Sequence, residues 1–97
     1  MPEIEFHHAA DEEMKAAAVY YDDQVVGLGS DFLDEIESGL NRIRRFPLLS
    51  PIYDGEYRRY LLKRFPYGLI YRIEAQKIFI IAVTHHQRKP KYWIDRT

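Results

Sequence analysis

Hydrophobic side chains in the first half of the sequence follow one strand period and then two helical stripes. Residues 3–7 alternate polar and apolar, which is the period of a half-buried strand. Over residues 9–26 the apolar positions have helical spacing, at Met14, Ala17, Ala18, Tyr21 and Val25. A second helix is predicted to start at the N-cap Ser30 and to stop before Pro47. Its apolar stripe is Phe32, Ile36, Leu40 and Ile43. The short connection between the helices predicts an antiparallel hairpin.

The second half of the sequence has the period of strands. Residues 47–56 contain two prolines and an Asp-Gly pair, so this stretch is interpreted as a loop. Three strands are predicted at residues 57–63, 67–74 and 77–85, and their short connections favour an antiparallel meander. A final helical turn is predicted after Pro90. The predicted fold is α+β, in the order β-α-α-β-β-β, with the helical hairpin packed on one face of an antiparallel sheet, in one domain spanning residues 1–97.

The alternation within the meander predicts which side chains face the helices. The helix-facing set is large and apolar: Tyr60, Leu62, Leu69, Tyr71, Ile73, Phe79, Ile81 and Val83. The opposite set is smaller, mixed and basic: Arg59, Leu61, Lys63, Gly68, Ile70, Arg72, Ile80, Ala82, Thr84 and His86. We therefore expect the second face of the sheet to be uncovered and rimmed by cations.

Composition narrows the class of protein. With 97 residues, 46% of them hydrophobic, the chain can build one modest core. The lack of cysteine excludes disulfides, thiolate catalysis and cysteine-ligated metal sites, and it fits a reducing cytoplasm. No signal peptide is visible, and no apolar stretch approaches the roughly 18–20 residues of a membrane span. We expect a cytoplasmic protein without membrane contact.

The near-neutral net charge conceals a strong asymmetry along the sequence. Residues 1–56 hold 13 acidic and 4 basic side chains, a net charge of −9, whereas residues 57–97 hold 2 acidic and 10 basic side chains, a net charge of +8. Basic surfaces attract phosphate backbones or acidic protein segments. The alternative interpretation is that the two halves simply pair their charges in the folded domain.

Several short segments, in order along almost the whole chain, resemble the RelE/ParE superfamily of bacterial toxins from type II toxin–antitoxin modules. They are residues 20–21 (YY), 28–33 (LGSDFL), 58–62 (RRYLL), 64–71 (RFPYGLIY), 82–86 (AVTHH) with Arg88, and 92–93 (YW). The resemblance implies two possible activities. RelE-like members are ribosome-dependent messenger RNA endonucleases, whereas ParE-like members inhibit DNA gyrase by trapping its cleaved complex.

The positions typical of RelE are only partly filled. Arg59 matches the first of two strand cations, but Leu61 replaces the second, and Gly68 stands where an arginine is typical. His86 and Tyr92 are retained near the C-terminus, and with Arg88 they are the candidate catalytic residues of an RNase. The turn at residues 65–67 and the tail at residues 85–93 are more similar to ParE. The resemblance therefore favours a ParE-like gyrase inhibitor. An RNase and a degenerate, non-toxic antitoxin-binding member stay open as alternatives.

The resemblance also implies a cognate antitoxin with an acidic or amphipathic C-terminal segment. The predicted partner-binding residues are Arg58, Arg59, Lys63, Arg64, Arg72 and Trp93. A solvated basic rim without a partner is the alternative for the five cations. No metal site is predicted, because His85 and His86 are adjacent and would point to opposite faces of a strand. No cofactor is expected.

Overall fold

The chain folds as two helices packed on a five-stranded mixed sheet, in a computed structural model that describes residues 2–96. The elements are β1 (Glu3–Phe6), α1 (His8–Gln24), α2 (Leu28–Arg45), β2 (Ile52–Asp54), β3 (Tyr57–Leu61), β4 (Tyr67–Glu74) and β5 (Lys77–His85). Their order across the sheet is β1-β5-β4-β3-β2. The predicted α+β class with a helical hairpin is confirmed. The sheet is mixed because β1 pairs with β5 in parallel, while all other neighbours are antiparallel.

Helix α2 begins two residues before the predicted N-cap. Asp22, near the end of α1, accepts hydrogen bonds from the backbone N–H of Gly27 (3.0 Å) and of Gly29 (3.2 Å). Gly27 has a left-handed conformation, with φ of 91°, which glycine adopts without strain. The predicted N-cap role of Ser30 is therefore wrong, since a carboxylate from the preceding helix caps α2.

A short strand lies in the segment that was predicted to be a loop. Strand β2 forms the sheet edge beside β3, a place where nearby prolines are tolerated. Arg58 fixes the approach to this strand, because its guanidinium donates to the carbonyl oxygens of Leu48 (3.2 Å) and Ser50 (2.7 Å). The Tyr71 hydroxyl donates to the carbonyl oxygen of Pro47 at 2.7 Å. The spacing of hydrophobic residues could not predict these hydrogen bonds from side chains to backbone carbonyls.

A β-bulge in β5 reverses the predicted faces of Phe79, Ile80 and Ile81. Ile70 pairs with Ala82 but the next residue, Tyr71, pairs with Ile80, so Ile81 is an extra residue in β5. Side chains before the bulge change faces as a result. Ile78 and Ile80 lie under the helices, whereas Phe79 and Ile81 lie on the opposite face. The predictions for Phe79, Ile80 and Ile81 were therefore wrong in face, although all three side chains are buried.

The second face of the sheet is not left uncovered. The segment after β5, residues 86–96, folds back in turns and inserts Trp93, which is 1% exposed. Trp93 packs with Ile70, Phe79, Ile81 and Ala82, and Tyr57 meets its ring edge to face at 5.0 Å. The larger cluster under the helices contains Phe32, Ile36, Ile43, Leu69, Tyr71 and Val83. The sheet thus has a hydrophobic cluster on each face.

We expect Gly29→Ala to destabilise the fold by about 1–3 kcal/mol, because overpacking forces backbone shifts. A Cβ atom at position 29 would lie 2.4 Å from the carbonyl oxygen of Ala18, which is backbone and cannot turn aside. The measurement is the free energy of unfolding in urea. Ser30→Ala is the matched control, since Ser30 is exposed within the helix. A control loss equal to that of Gly29→Ala would contradict the observed helix start.

Ile36→Ala is expected to cost about 2–5 kcal/mol, because it removes buried methyl groups and leaves a cavity. Ile36 is 2% exposed and lies in the cluster under the helices. Glu37→Ala, one residue along and exposed, is the control and should change the midpoint of urea unfolding little. An unchanged midpoint for Ile36→Ala would refute the packing of α2 on the sheet.

Candidate interaction site

The five cations predicted to bind a partner do not form one surface. Arg58 is occupied by the loop carbonyls of Leu48 and Ser50. Arg72 is largely buried, with a side chain 18% exposed, and it pairs with Glu74 while lying 4.6 Å over the ring of Phe79. These two arginines support the fold instead of facing solvent.

Lys63 and Arg64 lie at the other end of β3, beside the helices. Their backbone N–H groups donate to the carboxylate of Glu35 on α2, and the Arg64 side chain approaches Asp31 at 3.6 Å. Part of the charge asymmetry of the sequence is therefore used in contacts between the two halves. Of the predicted cations, Arg59 alone lies in the concavity described next.

A concavity of about 200 Å³ lies between the sheet and the C-terminal segment. On the sheet side it is lined by Gly68 and Thr84, which are register partners on β4 and β5, and by Ile70. Its cationic lining comes from both sides, namely Arg59 from the sheet and Arg88, Lys89 and Lys91 from the C-terminal segment, and His85 and His86 also line it. No aspartate or glutamate is among the lining residues. We call this feature the basic concavity.

Glu13 on α1 holds the C-terminal wall of the basic concavity in place. Its carboxylate accepts two hydrogen bonds from the Arg96 guanidinium (3.0 and 2.9 Å), one from the Tyr92 hydroxyl (2.6 Å) and one from the Val83 N–H (3.0 Å). Arg96 also donates to the carbonyl oxygen of Ile81 at 3.0 Å. Because hydrogen bonds to a charged group are among the stronger ones, this carboxylate ties α1, β5 and residues 86–96 together.

Tyr92 is turned away from the basic concavity. Its ring lies between two guanidinium groups, with Arg88 at 3.9 Å and Arg96 at 5.0 Å from the ring centroid. Burial, followed by the hydrogen bond to Glu13, raises the pKa of Tyr92 to about 12. Of the three candidate catalytic residues, His86 and Arg88 therefore line the basic concavity, whereas Tyr92 does not.

Trp93 lines the inner end of the basic concavity, but its indole is buried against the sheet. In the structure the ring anchors the C-terminal segment, so that residues 88–91 lie above the strands. Sequence reasoning missed Lys89 and Lys91, which the run RKPK at residues 88–91 could have suggested. It also missed Glu13, for which the sequence holds no local signal among fifteen acids.

Over residues 2–96 there is no cluster of three or more histidine, cysteine, aspartate or glutamate side chains arranged to hold a metal ion. Within the same range no helix is long and apolar enough to cross a membrane.

Comparison with known proteins gives a family and a fold. The family model described as the ParE toxin of the type II toxin–antitoxin system, parDE, matches residues 4–90. A solved structure of a chromosomal ParDE TA system from P. aeruginosa contains a chain with a TM-score of 0.65 to this one, at 14% identity. That match covers 88% of this chain and 96% of the other. No curated protein was found as a relative by sequence.

We expect Tyr92→Phe to change both stability and its pH dependence. At pH 7 the variant loses a hydrogen bond to a carboxylate, which costs about 1–2 kcal/mol. A tyrosine whose pKa is about 12 when folded, against about 10 when unfolded, stabilises the fold below pH 10. That contribution disappears as the pH rises towards 12, so the difference between parent and variant should shrink over this range.

Urea unfolding at pH 7, 10 and 11.5 provides the measurement for Tyr92→Phe. Tyr20→Phe is the control, because Tyr20 is 58% exposed, and its unfolding curves should follow those of the parent. A difference between parent and Tyr92→Phe that stays constant up to pH 11.5 would refute the raised pKa.

Proposed function

This chain belongs to the ParE toxin family of type II toxin–antitoxin systems, and on that basis we propose that it inhibits DNA gyrase by protein–protein binding, without chemistry of its own. The single observation that carries the proposal is the family match over residues 4–90. The side chains of the basic concavity support a function without catalysis, because they supply only part of the set that the resemblance implies for an RNase.

RNA cleavage needs groups that transfer protons and groups that offset charge on the phosphorane. The basic concavity contains cations, but its lining holds no carboxylate. Tyr92 is not among the residues that line the basic concavity, and its hydroxyl donates to Glu13. Leu61 and Gly68 stand where the resemblance implies further cations. His85 and His86 also line the basic concavity, but Tyr92 is absent from its lining and Leu61 and Gly68 replace two cations, so the RelE-like set of groups is incomplete.

The proposed partners are a cognate antitoxin, bound through an acidic or amphipathic segment, and gyrase once the antitoxin is removed. Neither a ribosome nor messenger RNA is required by this proposal. The proposed location is the cytoplasm, where gyrase acts, and the proposed unit is a single domain over residues 1–97. Arg59 stays among the proposed partner-binding residues because its side chain lines the basic concavity.

We expect expression of this chain without antitoxin to stop cell division and to induce the DNA-damage response, as a stalled topoisomerase does. The purified chain should increase the cleaved complex of gyrase on plasmid DNA and leave ribosome-bound messenger RNA intact. His86→Ala should keep this toxicity within about twofold, because the histidine has no chemical step to perform. The readouts are filament length, linearised plasmid and primer extension on messenger RNA.

Two outcomes would contradict the proposal. Cuts in messenger RNA that follow the codon phase and vanish in His86→Ala or Tyr92→Phe would establish the RNase alternative. Normal growth and an unaffected gyrase, together with tight antitoxin binding, would establish a non-toxic member that only binds its antitoxin.

A further inference from the structure

We propose that the basic concavity is a carboxylate-binding site that takes an extended acidic segment of a protein partner. This inference deepens the proposed function and rests on it only for the partner's identity. The site differs from the predicted set of cations, because it consists of Arg59 from β3 together with Arg88, Lys89 and Lys91 from the C-terminal segment.

The cations of the basic concavity are incompletely neutralised. Arg88 approaches Glu13 at 3.8 Å and Lys91 approaches Asp54 at 3.7 Å, both at the limit of an ion pair. Arg59 and Lys89 make no ion pair within residues 2–96. Since like charges repel, several cations around one recess are more favourable once an anion enters it.

The two walls of the basic concavity are fixed before any ligand arrives. Arg59 lies 4.4 Å over the ring of Tyr53, which restricts its guanidinium. The opposite wall is fixed by the burial of Trp93 and by the contacts of Glu13 with Arg96. A site whose charged groups are already ordered loses less entropy on binding.

The shape and surroundings of the recess favour a peptide over a nucleic acid. Its volume of about 200 Å³ admits a few side chains of an extended segment. Single-stranded nucleic acids bind by stacking bases on exposed aromatic rings, but Arg59 covers the ring of Tyr53 and Trp93 is buried. The helical half of the chain carries a net charge of −9, which repels a long polyanion but leaves room for a short acidic segment.

On the sheet side, the recess is shaped by Gly68 and its register partner Thr84. Gly68 presents no side chain there, and an added Cβ atom would meet only ordinary contacts of 3.4 Å or more. The glycine therefore deepens the recess without being required by close packing. The Thr84 hydroxyl on the paired residue donates to the carbonyl oxygen of His85 at 3.3 Å, and this long bond can be exchanged for one to a carboxylate.

The test is a titration of the ¹⁵N-labelled full chain with the capped peptide acetyl-hexaglutamate-amide at low salt, followed by amide chemical shifts. Saturable shifts are expected at the amides of Gly68, Thr84, Arg88, Lys89 and Lys91. The double variant Arg59→Gln with Lys89→Gln should weaken binding roughly tenfold, because it removes the two cations that make no ion pair within residues 2–96. Raising the salt should weaken binding of the parent as well.

The matched control is the double variant Arg45→Gln with Lys15→Gln. It also removes one arginine and one lysine charge, but from exposed positions outside the recess. It should bind hexaglutamate within about twofold of the parent. Equal weakening in both double variants, or shifts spread over every surface cation, would overturn the proposal and show a diffuse charge effect. Hexathymidylate that binds the same residues more tightly than hexaglutamate would overturn it in favour of nucleic acid.

The titration uses neither gyrase nor antitoxin, so its failure is separable from failure of the proposed function. Saturable binding of hexaglutamate by a chain that leaves gyrase unaffected would retain the site and remove the toxin mechanism. Gyrase inhibition by a chain that does not bind hexaglutamate would do the reverse.

Discussion

Strand β5 is covered on both faces, and the rest of the structure is arranged around that constraint. Its apolar side chains run almost without interruption from Ile78 to Val83, so neither face can be left to water. Two helices cover one face, and a tail of eleven residues with a single tryptophan covers the other. The extra residue Ile81 divides the apolar run between the two clusters. Because of that bulge, Ile78 and Ile80 join the cluster under the helices, whereas Phe79 and Ile81 join the cluster around Trp93.

Much of this architecture could be predicted from the sequence, because it depends on the spacing of apolar residues and on the glycines and prolines that end helices and strands. Strands β4 and β5 end where predicted, and both helices follow their apolar stripes. The failures share a cause. The cap of α2, the edge strand β2 and the bulge each depend on particular hydrogen bonds or on strand register, which hydrophobic periodicity does not encode. Asp22 caps a helix that begins after a glycine, and Arg58 holds a loop through its carbonyls. These donors and acceptors are only five to ten residues apart in sequence, but the pattern of apolar positions gives no sign of them.

The candidate site was also predictable only in part from the sequence. Counting charges predicted that the second half of the chain is basic. It could not predict which of its cations lie close together in the fold. Arg72 and Arg64 find acidic or aromatic partners inside the fold, whereas Arg59 and Lys89, thirty residues apart in sequence, converge on one recess. Their convergence depends on how residues 86–96 fold back, and thus on Trp93 and Glu13. The proposed site therefore lies on a C-terminal segment that Glu13 of α1 holds in position.

The carboxylate of Glu13 has one more consequence, which concerns association between copies of the chain. Strand β1 covers β5 only as far as Ile80, so beyond that point β5 is an edge with free backbone groups. An apolar edge of this kind is a template for pairing with another strand and for aggregation. Here Glu13 accepts from the Val83 N–H, and Arg96 donates to the Ile81 carbonyl. Two charged side chains thus occupy the positions that a foreign strand would need, which protects the most hydrophobic strand of the protein from self-association.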